Sequence, residues 1–207
     1  KETGQIGSSG TLTSGDAFDC DVNGDGTYDP ATERFYYVTD LNSTTAILIL
    51  YTNTNSAGER SGGTRPPYNS SGINYNGPVT AASVLPTKTA WPKATLYNNP
   101  AQIYNIDGGT TVKYSGTHTL PKYTYTTAAR LLTYQEFLKL PSAIFWEDFG
   151  GQNFPSCLWL NTPYPTTPQV YAIHAPYKLN ISFYPSGPTN SCGVRPVIEV
   201  KKEDMLY

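Results

Sequence analysis

The segment that most constrains the fold lies near the end of the sequence, at residues 192–200. Its apolar side chains are β-branched, which is typical of a strand, and they are Val194, Val197, Ile198 and Val200. Pro196 cannot donate a hydrogen bond to a neighbouring strand, so free pairing is predicted only after it. Arg195 carries a charge within a segment that is predicted to be buried. We therefore expect it to bind a loop carbonyl or carboxylate, in the closing strand of a domain.

The rest of the sequence predicts further strands, two short helices and long loops. Residues 35–38 and 46–51 are strand-like runs on either side of a polar turn, and we expect them to form a hairpin. One short helix is predicted to begin at Pro78, and a second at Thr133, which forms a capping box with Glu136. Three more strands are predicted at residues 158–160, 170–174 and 181–184. Together these elements predict the α+β class, with a mainly antiparallel sheet.

The composition excludes one class of partner and favours another. The 207-residue chain has 14 Lys and Arg against 16 Asp and Glu, so the basic patch of a nucleic-acid-binding protein is not expected. Tyrosine is unusually frequent, with 17 residues beside 18 glycines. Tyrosine supplies large amphipathic contact area, which is common on extracellular binding surfaces. An ordinary loop-rich secreted β domain has the same composition, and this alternative stays open.

The organisation predicted along the chain is one domain after a linker. Residues 1–15 are rich in Gly, Ser and Thr and are predicted to be flexible, and residues 16–207 are predicted to form a single domain. No membrane segment is expected, because the longest apolar stretch covers only residues 46–51. No signal peptide is visible, and we expect residues 1–4 to begin a trimmed or mature fragment.

The chain has three cysteines, Cys20, Cys157 and Cys192. Cys157 and Cys192 flank the last part of the chain, and a disulfide between them is predicted for an oxidising compartment, which leaves Cys20 free. In a reducing compartment all three would remain thiols. No C-x-x-C spacing occurs and the two histidines are far apart, so a cysteine-based metal site is not expected.

The most explicit chemical motif is an acidic loop that matches D-x-[DN]-x-[DN]-G, the first half of a calcium-binding loop. Its oxygen ligands would be Asp21, Asn23, Asp25 and Asp29. The second half departs from the pattern, because position 12 is Thr32 and Glu33 comes one residue late. A hairpin tip whose Asx side chains cap their own backbone explains the motif equally well. Any calcium is therefore expected to bind weakly and to be structural.

The pattern of nucleophiles and bases does not predict an enzyme. His118 and His174 lack the neighbouring Ser, Cys and Asp residues of a catalytic triad, and no glycine-rich loop could cradle a phosphate. Glu147 and Asp148 form a carboxylate pair in a predicted loop, where such neighbours are usually solvated.

Three motifs, in order over roughly the last eighty residues, resemble a known superfamily. They are Ala-Arg-Leu-Leu-Thr-Tyr-Gln-Glu-Phe at 129–137, Cys-Leu-Trp-Leu-Asn at 157–161 and Gly-Val-Arg-Pro-Val-Ile at 193–198. They are similar to the helix start, the central tryptophan strand and the last strand of C-type lectin-like and formylglycine-generating-enzyme-like domains. The sulfatase-activating members use a cysteine pair whose context Cys157 and Cys192 do not match, so that activity is not carried over.

The resemblance also implies a location. Residues 18–51 resemble a segment of gut Firmicutes surface proteins that carry a prepilin leader, which implies a hydrophobic helix N-terminal to Lys1. The fold implied is C-type lectin-like, and the implied location is extracellular, at the cell surface. In some phage and bacterial members, diversity-generating retroelements vary a segment that is rich in Tyr, Asn and Ser.

The region between residues 161 and 190 resembles the ligand-binding face of these domains. The predicted ligand-binding residues are Asn161, Tyr164, His174, Tyr177, Asn180 and Tyr184. Alternation along the strand 170–174 places Tyr171 and Ile173 towards the core, so Ala172 and His174 are expected to point outward. Trp159 is expected to be buried below this face. Tyrosines that merely pack on neighbouring prolines would give the same sequence pattern.

The sequence therefore predicts a non-enzymatic binding module, the surface-displayed head of a pilin-like or anchored protein. Its partners would be a glycan or protein ligand on another cell and other pilus subunits. Two alternatives remain, namely a structural pilus subunit without its own ligand and a phage tail receptor-binding protein.

Overall fold

The computed structural model describes residues 3–6, 10–60, 65–98, 101–141, 157–174 and 191–207. Its architecture is α+β and mainly antiparallel. The main sheet has five antiparallel strands in the order β1-β2-β3-β4-β11. These strands are β1 (Thr3–Ile6), β2 (Ala17–Cys20), β3 (Arg34–Asp40), β4 (Thr45–Leu50) and β11 (Val197–Lys201). The predicted hairpin is confirmed as β3–β4, in which Tyr36 lies opposite Ile49.

The sheet begins inside the segment predicted to be a linker. Thr3–Ile6 pairs along its whole length with Ala17–Cys20, from Thr3 opposite Cys20 to Ile6 opposite Ala17. A linker boundary at residue 16 is therefore wrong. Backbone pairing needs only donors and acceptors, so a polar Thr-Gly-Gln-Ile strand gives little sequence signal.

The closing strand behaves as its proline predicts. Regular pairing of β11 with β4 begins at Val197, opposite Ile49, directly after Pro196. Arg195 is 4 % exposed, and its Nε donates to the carbonyl of Leu50 at 2.8 Å, so only the carbonyl part of the expected loop acceptor is confirmed. The acceptor belongs to the end of a strand and not to a loop. The other side of β11 is also occupied, because the Val197 backbone exchanges two hydrogen bonds with Arg130.

Arg130 is the centre of a buried group of charges that joins three segments. Its Nε donates to Glu199 Oε1 on β11 at 3.0 Å, and its terminal nitrogens donate to Glu136 at 2.8 and 2.9 Å. Burial alone would lower the pKa of Arg130, but the charges of Glu136 and Glu199 raise it. The guanidinium therefore stays charged and holds the start of the helix Tyr134–Phe137 against the closing strand.

The two predicted short helices are confirmed. They are α1 (Val79–Ala82) and α2 (Tyr134–Phe137). The Thr133 hydroxyl accepts from the amide of Glu136, and the Glu136 carboxylate accepts from the amide of Thr133, so the capping box is complete. Within the residues that the structure describes, no helix is long and apolar enough to cross a membrane.

Three two-stranded sheets accompany the main sheet in the part of the chain that the structure describes. They pair β5 (Ala101–Gln102) with β8 (Lys122–Tyr123), β6 (Thr111–Lys113) with β7 (Thr117–Thr119), and β9 (Cys157–Pro163) with β10 (Val170–His174). Two 3-10 turns lie at Asn74–Asn76 and Lys202–Asp204. The predicted strand at 181–184 lies outside the described residues.

The β9–β10 hairpin is buried on both faces, because it lies between two cores. Tyr171 and Ile173 pack with Val38 and Val197 in one core. The next residue along, Ala172, packs in another core with partners that include Trp159, Tyr68 and Leu131.

The predicted burial of Trp159, Tyr171, Ile173 and Val197 is confirmed. The prediction that Ala172 faces outward is wrong, since it is 2 % exposed. Alternation identifies which residues share a face, but not whether solvent lies beyond it.

The disulfide predicted between Cys157 and Cys192 is confirmed, and it spans 35 positions of the chain. It ties the start of β9 to the segment that leads into β11. Gly193 beside it donates to the carbonyl of Cys157 at 2.9 Å and accepts from the amide of Trp159 at 2.9 Å. Cys20 is a buried thiol outside this disulfide, as predicted.

Candidate functional site

Asn161 is predicted to lie on the ligand-binding face, but the structure places it in the interior. It lies in β9 and is 1 % exposed. Its Oδ1 accepts from the Tyr125 hydroxyl at 2.7 Å, and its backbone carbonyl accepts from the Tyr68 hydroxyl at 3.1 Å. Burial raises the pKa of Tyr125, so the phenol stays protonated and donates. The assignment of Asn161 to an exposed ligand-binding surface is therefore wrong, and its role is to satisfy a buried hydroxyl.

Replacement of Asn161 by alanine is expected to lower the free energy of unfolding by about 1–3 kcal/mol, because the Tyr125 hydroxyl loses an acceptor in the interior. Urea unfolding followed by circular dichroism measures this change. In a Tyr125→Phe background the same substitution should cost less, because the donor is already gone. If Asn161→Ala kept the stability of the wild type and lost ligand binding, this structural role would be contradicted and Asn161 would belong to the binding surface.

Tyr164 follows β9 directly and is half-buried. Its ring centroid lies 5.4 Å from that of Tyr171, and its backbone amide donates to the carbonyl of Gln169 at 2.8 Å. The chain thus closes a turn over residues 164–169, which we call the β9–β10 turn. The backbone of His174 lies in β10, while its side chain and the predicted site residues Tyr177, Asn180 and Tyr184 lie outside the described part. Their clustering with Tyr164 stays a prediction.

One buried asparagine, Asn74, holds the β9–β10 turn. Asn74 is fully buried, and its side-chain Nδ2 donates to the carbonyl of Gln169 at 2.7 Å. The same nitrogen lies 3.2 Å from the carbonyl of Thr167 and 3.3 Å from that of Tyr164. An amide nitrogen has two protons, so these carbonyls saturate it. The turn is therefore fixed from beneath by a residue that is 90 positions away from Tyr164.

The same asparagine joins a second hairpin to the turn. Asn74 Oδ1 accepts from the Tyr114 hydroxyl at 2.5 Å. The amide of Lys113, at the end of β6, donates to the carbonyl of Pro165 in the turn at 2.7 Å. The β6–β7 hairpin therefore lies beside the β9–β10 turn, and both are anchored to Asn74.

Three half-exposed aromatic rings gather at this joint, and we call them the aromatic trio: Tyr75, Tyr114 and His118. The rings of Tyr75 and His118 stack with centroids 4.1 Å apart and planes within 4° of parallel. The Tyr114 ring is tilted against both, at 6.1 Å from Tyr75 and 5.7 Å from His118. Beneath them lies a small core of Ile103, Val112 and Leu120.

The sequence predicts the hairpin region but not the aromatic trio. The Tyr/Thr-rich runs between residues 98 and 127 do form hairpins, and Tyr114 and His118 flank the tip of one of them. Tyr75 lies about forty positions earlier, beyond the reach of any local pattern. The local signal for the trio is His118, which lies close to Tyr114 at the tip of the β6–β7 hairpin.

The side chains of the predicted calcium ligands accept hydrogen bonds from backbone amides of their own loop. Asp21 accepts from the amides of Gly24 at 2.8 Å and Gly26 at 3.2 Å. Asp25 accepts from the amide of Thr27 at 2.8 Å. The hydrogen bonds to the hydroxyl and amide of Thr27 lower the pKa of Asp25. Asn23 and Asp29 behave in the same way, towards the amides of Asp25 and Ala31. These contacts are those of the Asx-capped hairpin alternative.

Glu33, which comes one residue later than the last ligand of the calcium-loop pattern, is also bound to backbone amides. It is 2 % exposed, and its Oε1 accepts from the amides of Val22 at 3.0 Å and Asn23 at 3.2 Å. Burial raises the pKa of Glu33 although these amides oppose the shift. Among the described side chains, no group of three or more His, Cys, Asp or Glu residues is arranged to hold a metal ion.

Calorimetry is expected to show no calcium binding with a Kd below about 10⁻⁴ M, which is the weak range of extracellular modules. The reason is that these carboxylates already accept hydrogen bonds from backbone amides. The thermal midpoint should then be insensitive to a chelator. Asp21→Asn serves as the matched variant, since it removes one charge and keeps an acceptor. A submicromolar Kd that Asp21→Asn abolishes would contradict the expectation and require a ligand from elsewhere.

No known protein family, curated protein or solved structure matches the chain. The described candidate is the surface formed by the β9–β10 turn, with Tyr164, and the aromatic trio beside it.

Proposed function

We propose that this chain is a non-enzymatic extracellular binding module of C-type lectin-like fold. It is the surface-displayed head of a pilin-like or anchored protein and recognises a glycan or protein ligand. The Cys157–Cys192 disulfide supports the extracellular part of this proposal, because disulfides persist in oxidising compartments. The antiparallel α+β architecture is compatible with the fold named.

The observation that carries the proposal is the joint at Asn74. It fixes the β9–β10 turn and the β6–β7 hairpin side by side, with half-exposed aromatic side chains on both. Rigid tyrosines give a large contact area at low cost in conformational entropy, because their rotamers are already restricted before binding.

The test is adhesion of cells that display the chain to a panel of immobilised glycoproteins and cultured cells. Combined replacement of Tyr164, His174 and Tyr177 by alanine is expected to reduce adhesion at least about tenfold, as for the central residues of an interface. Tyr28→Ala is the matched control, because Tyr28 is a 41 % exposed tyrosine on the acidic loop. Assembly and display should be unchanged in both variants.

Two outcomes would contradict the proposal in different ways. Unchanged adhesion of the triple variant, with intact assembly, would favour the structural pilus subunit. Adhesion to bacterial cells alone would favour a phage receptor-binding protein, because the ligand would then lie on a phage host.

A further inference from the structure

Two members of the aromatic trio, Tyr75 and His118, have polar atoms that are available to a ligand. The His118 ring stacks on Tyr75 and is tilted against Tyr114. Within the described part of the chain, neither the imidazole nitrogens of His118 nor the hydroxyl of Tyr75 has a hydrogen-bond partner. Both residues are half-exposed, so these atoms reach solvent without being committed to the fold.

The rings that carry these atoms are fixed in place. The Tyr114 hydroxyl is bound to the buried Asn74, and the parallel stack of Tyr75 and His118 restricts both rings. Restricted side chains lose little conformational entropy when a ligand binds. The trio is therefore preorganised, in contrast to isolated tyrosines on a surface.

The hairpin tip keeps one imidazole nitrogen uncovered. Ser115 has φ 49° and Gly116 has φ 115°, so the chain turns sharply between Tyr114 and His118. A Cβ atom at residue 116 would lie 3.8 Å from Nε2 of His118. A side chain at that position would cover the nitrogen, whereas glycine leaves it open. The left-handed conformation of Ser115 is unfavourable for a non-glycine residue and is retained here at the edge of the trio.

The dimensions of the trio distinguish between classes of ligand. An aromatic side chain has a surface of about 150–250 Å², so three half-buried rings offer at most about 250 Å² to a ligand. A stable protein interface needs about 800 Å² from each partner. One sugar ring, with C–H groups on its face and hydroxyls at its rim, matches both the area and the polar atoms.

We propose that the aromatic trio binds a single neutral pyranose of a glycan. The sugar face packs on the aromatic rings, and its hydroxyls bond to the imidazole of His118 and the hydroxyl of Tyr75. This inference rests on the proposed binding function and names its ligand class and contact residues. Tyr164, on the adjoining turn, lies outside the trio and contacts the rest of the glycan.

The test is an NMR titration of the 207-residue chain with the methyl glycosides of glucose, galactose, mannose and N-acetylglucosamine. At least one glycoside is expected to shift the ring resonances of His118, Tyr75 and Tyr114 together. His118→Phe keeps the stacked ring and removes both nitrogens, and it should weaken binding at least about tenfold. Tyr75→Phe, which loses one hydroxyl, should weaken it less. Thr117→Ala, on the exposed outer face of the same hairpin, should bind as the wild type does.

Three results would overturn the inference. The first is no shift of the trio with any of the four glycosides, and the second is binding that His118→Phe leaves unchanged. The third is a set of shifts confined to other parts of the chain. If adhesion still depends on Tyr164 in these cases, the proposed binding function stands and only the sugar site at the trio is lost. Unchanged amide spectra of His118→Phe and Thr117→Ala establish that both variants are folded.

Discussion

Replacement of Arg130 by methionine is expected to lower the free energy of unfolding by about 3–5 kcal/mol, the loss typical of a broken buried ion pair. Arg130 is 4 % exposed and donates hydrogen bonds to Glu136 and Glu199. The side chain of Glu199, which lies on β11, is fully buried. Removal of the guanidinium leaves two carboxylates in the interior without their countercharge. Chemical denaturation with urea measures the change.

The matched control is an ion pair of the same type at the surface. Lys202 binds Asp40, and their side chains are 22 % and 41 % exposed. Lys202→Met should cost only about 0–1 kcal/mol, because water and ions screen exposed pairs. Equal losses for Arg130→Met and Lys202→Met would contradict the structural role given to Arg130.

The pH dependence of stability provides a second readout on the same residues. Burial alone would raise the pKa of Glu136, but the charge and hydrogen bonds of Arg130 and the Thr133 cap hold it below its ordinary value of 4.5. The folded state therefore favours the ionised carboxylate. This contribution is present above pH 4.5 and is lost as the pH falls through the lower folded pKa. In Arg130→Met the loss on acidification should shrink, because burial of Glu136 then opposes ionisation.

Removal of the disulfide by Cys157→Ala and Cys192→Ala together is expected to lower the free energy of unfolding by about 3–4 kcal/mol. The bond closes a loop with a sequence separation of 35, and its loss increases the conformational freedom of the unfolded chain. It also releases the segment that leads into the closing strand. Urea unfolding of the oxidised wild type and the double variant measures the difference.

Thiol counting checks the pairing itself. The denatured, unreduced wild type should contain one reactive thiol, from Cys20, and Cys20→Ala should contain none. Three thiols in the wild type would show that the bond does not form and would weaken the extracellular proposal.

Features that depend on neighbouring residues or on one pair of side chains could be predicted from the sequence. Pro196 delays strand pairing because it lacks an N–H group, and Thr133 with Glu136 caps a helix through local hydrogen bonds. The β3–β4 hairpin follows from two apolar runs on either side of a turn. In each case the cause lies within a few residues of the effect.

Features that depend on what covers a strand could not be predicted. Asn161 is polar, and polar residues near loops are usually exposed, but hydroxyls from Tyr125 and Tyr68 reach it from 36 and 93 positions away. Ala172 could be assigned to the face opposite Tyr171, but its burial depends on a second core that local sequence does not reveal. The joint at Asn74 depends on three distant segments that meet at one amide group.

The most direct test of the binding function is a printed array of glycans and cell-surface proteins, probed with the fluorescently labelled 207-residue chain. We predict that the wild type and Tyr28→Ala bind the same array members. Tyr164→Ala should bind these array members at least about tenfold more weakly while keeping the wild-type circular dichroism spectrum. Binding to no array member, or equal binding by Tyr164→Ala and the wild type, would contradict the account and leave the surface a structural one.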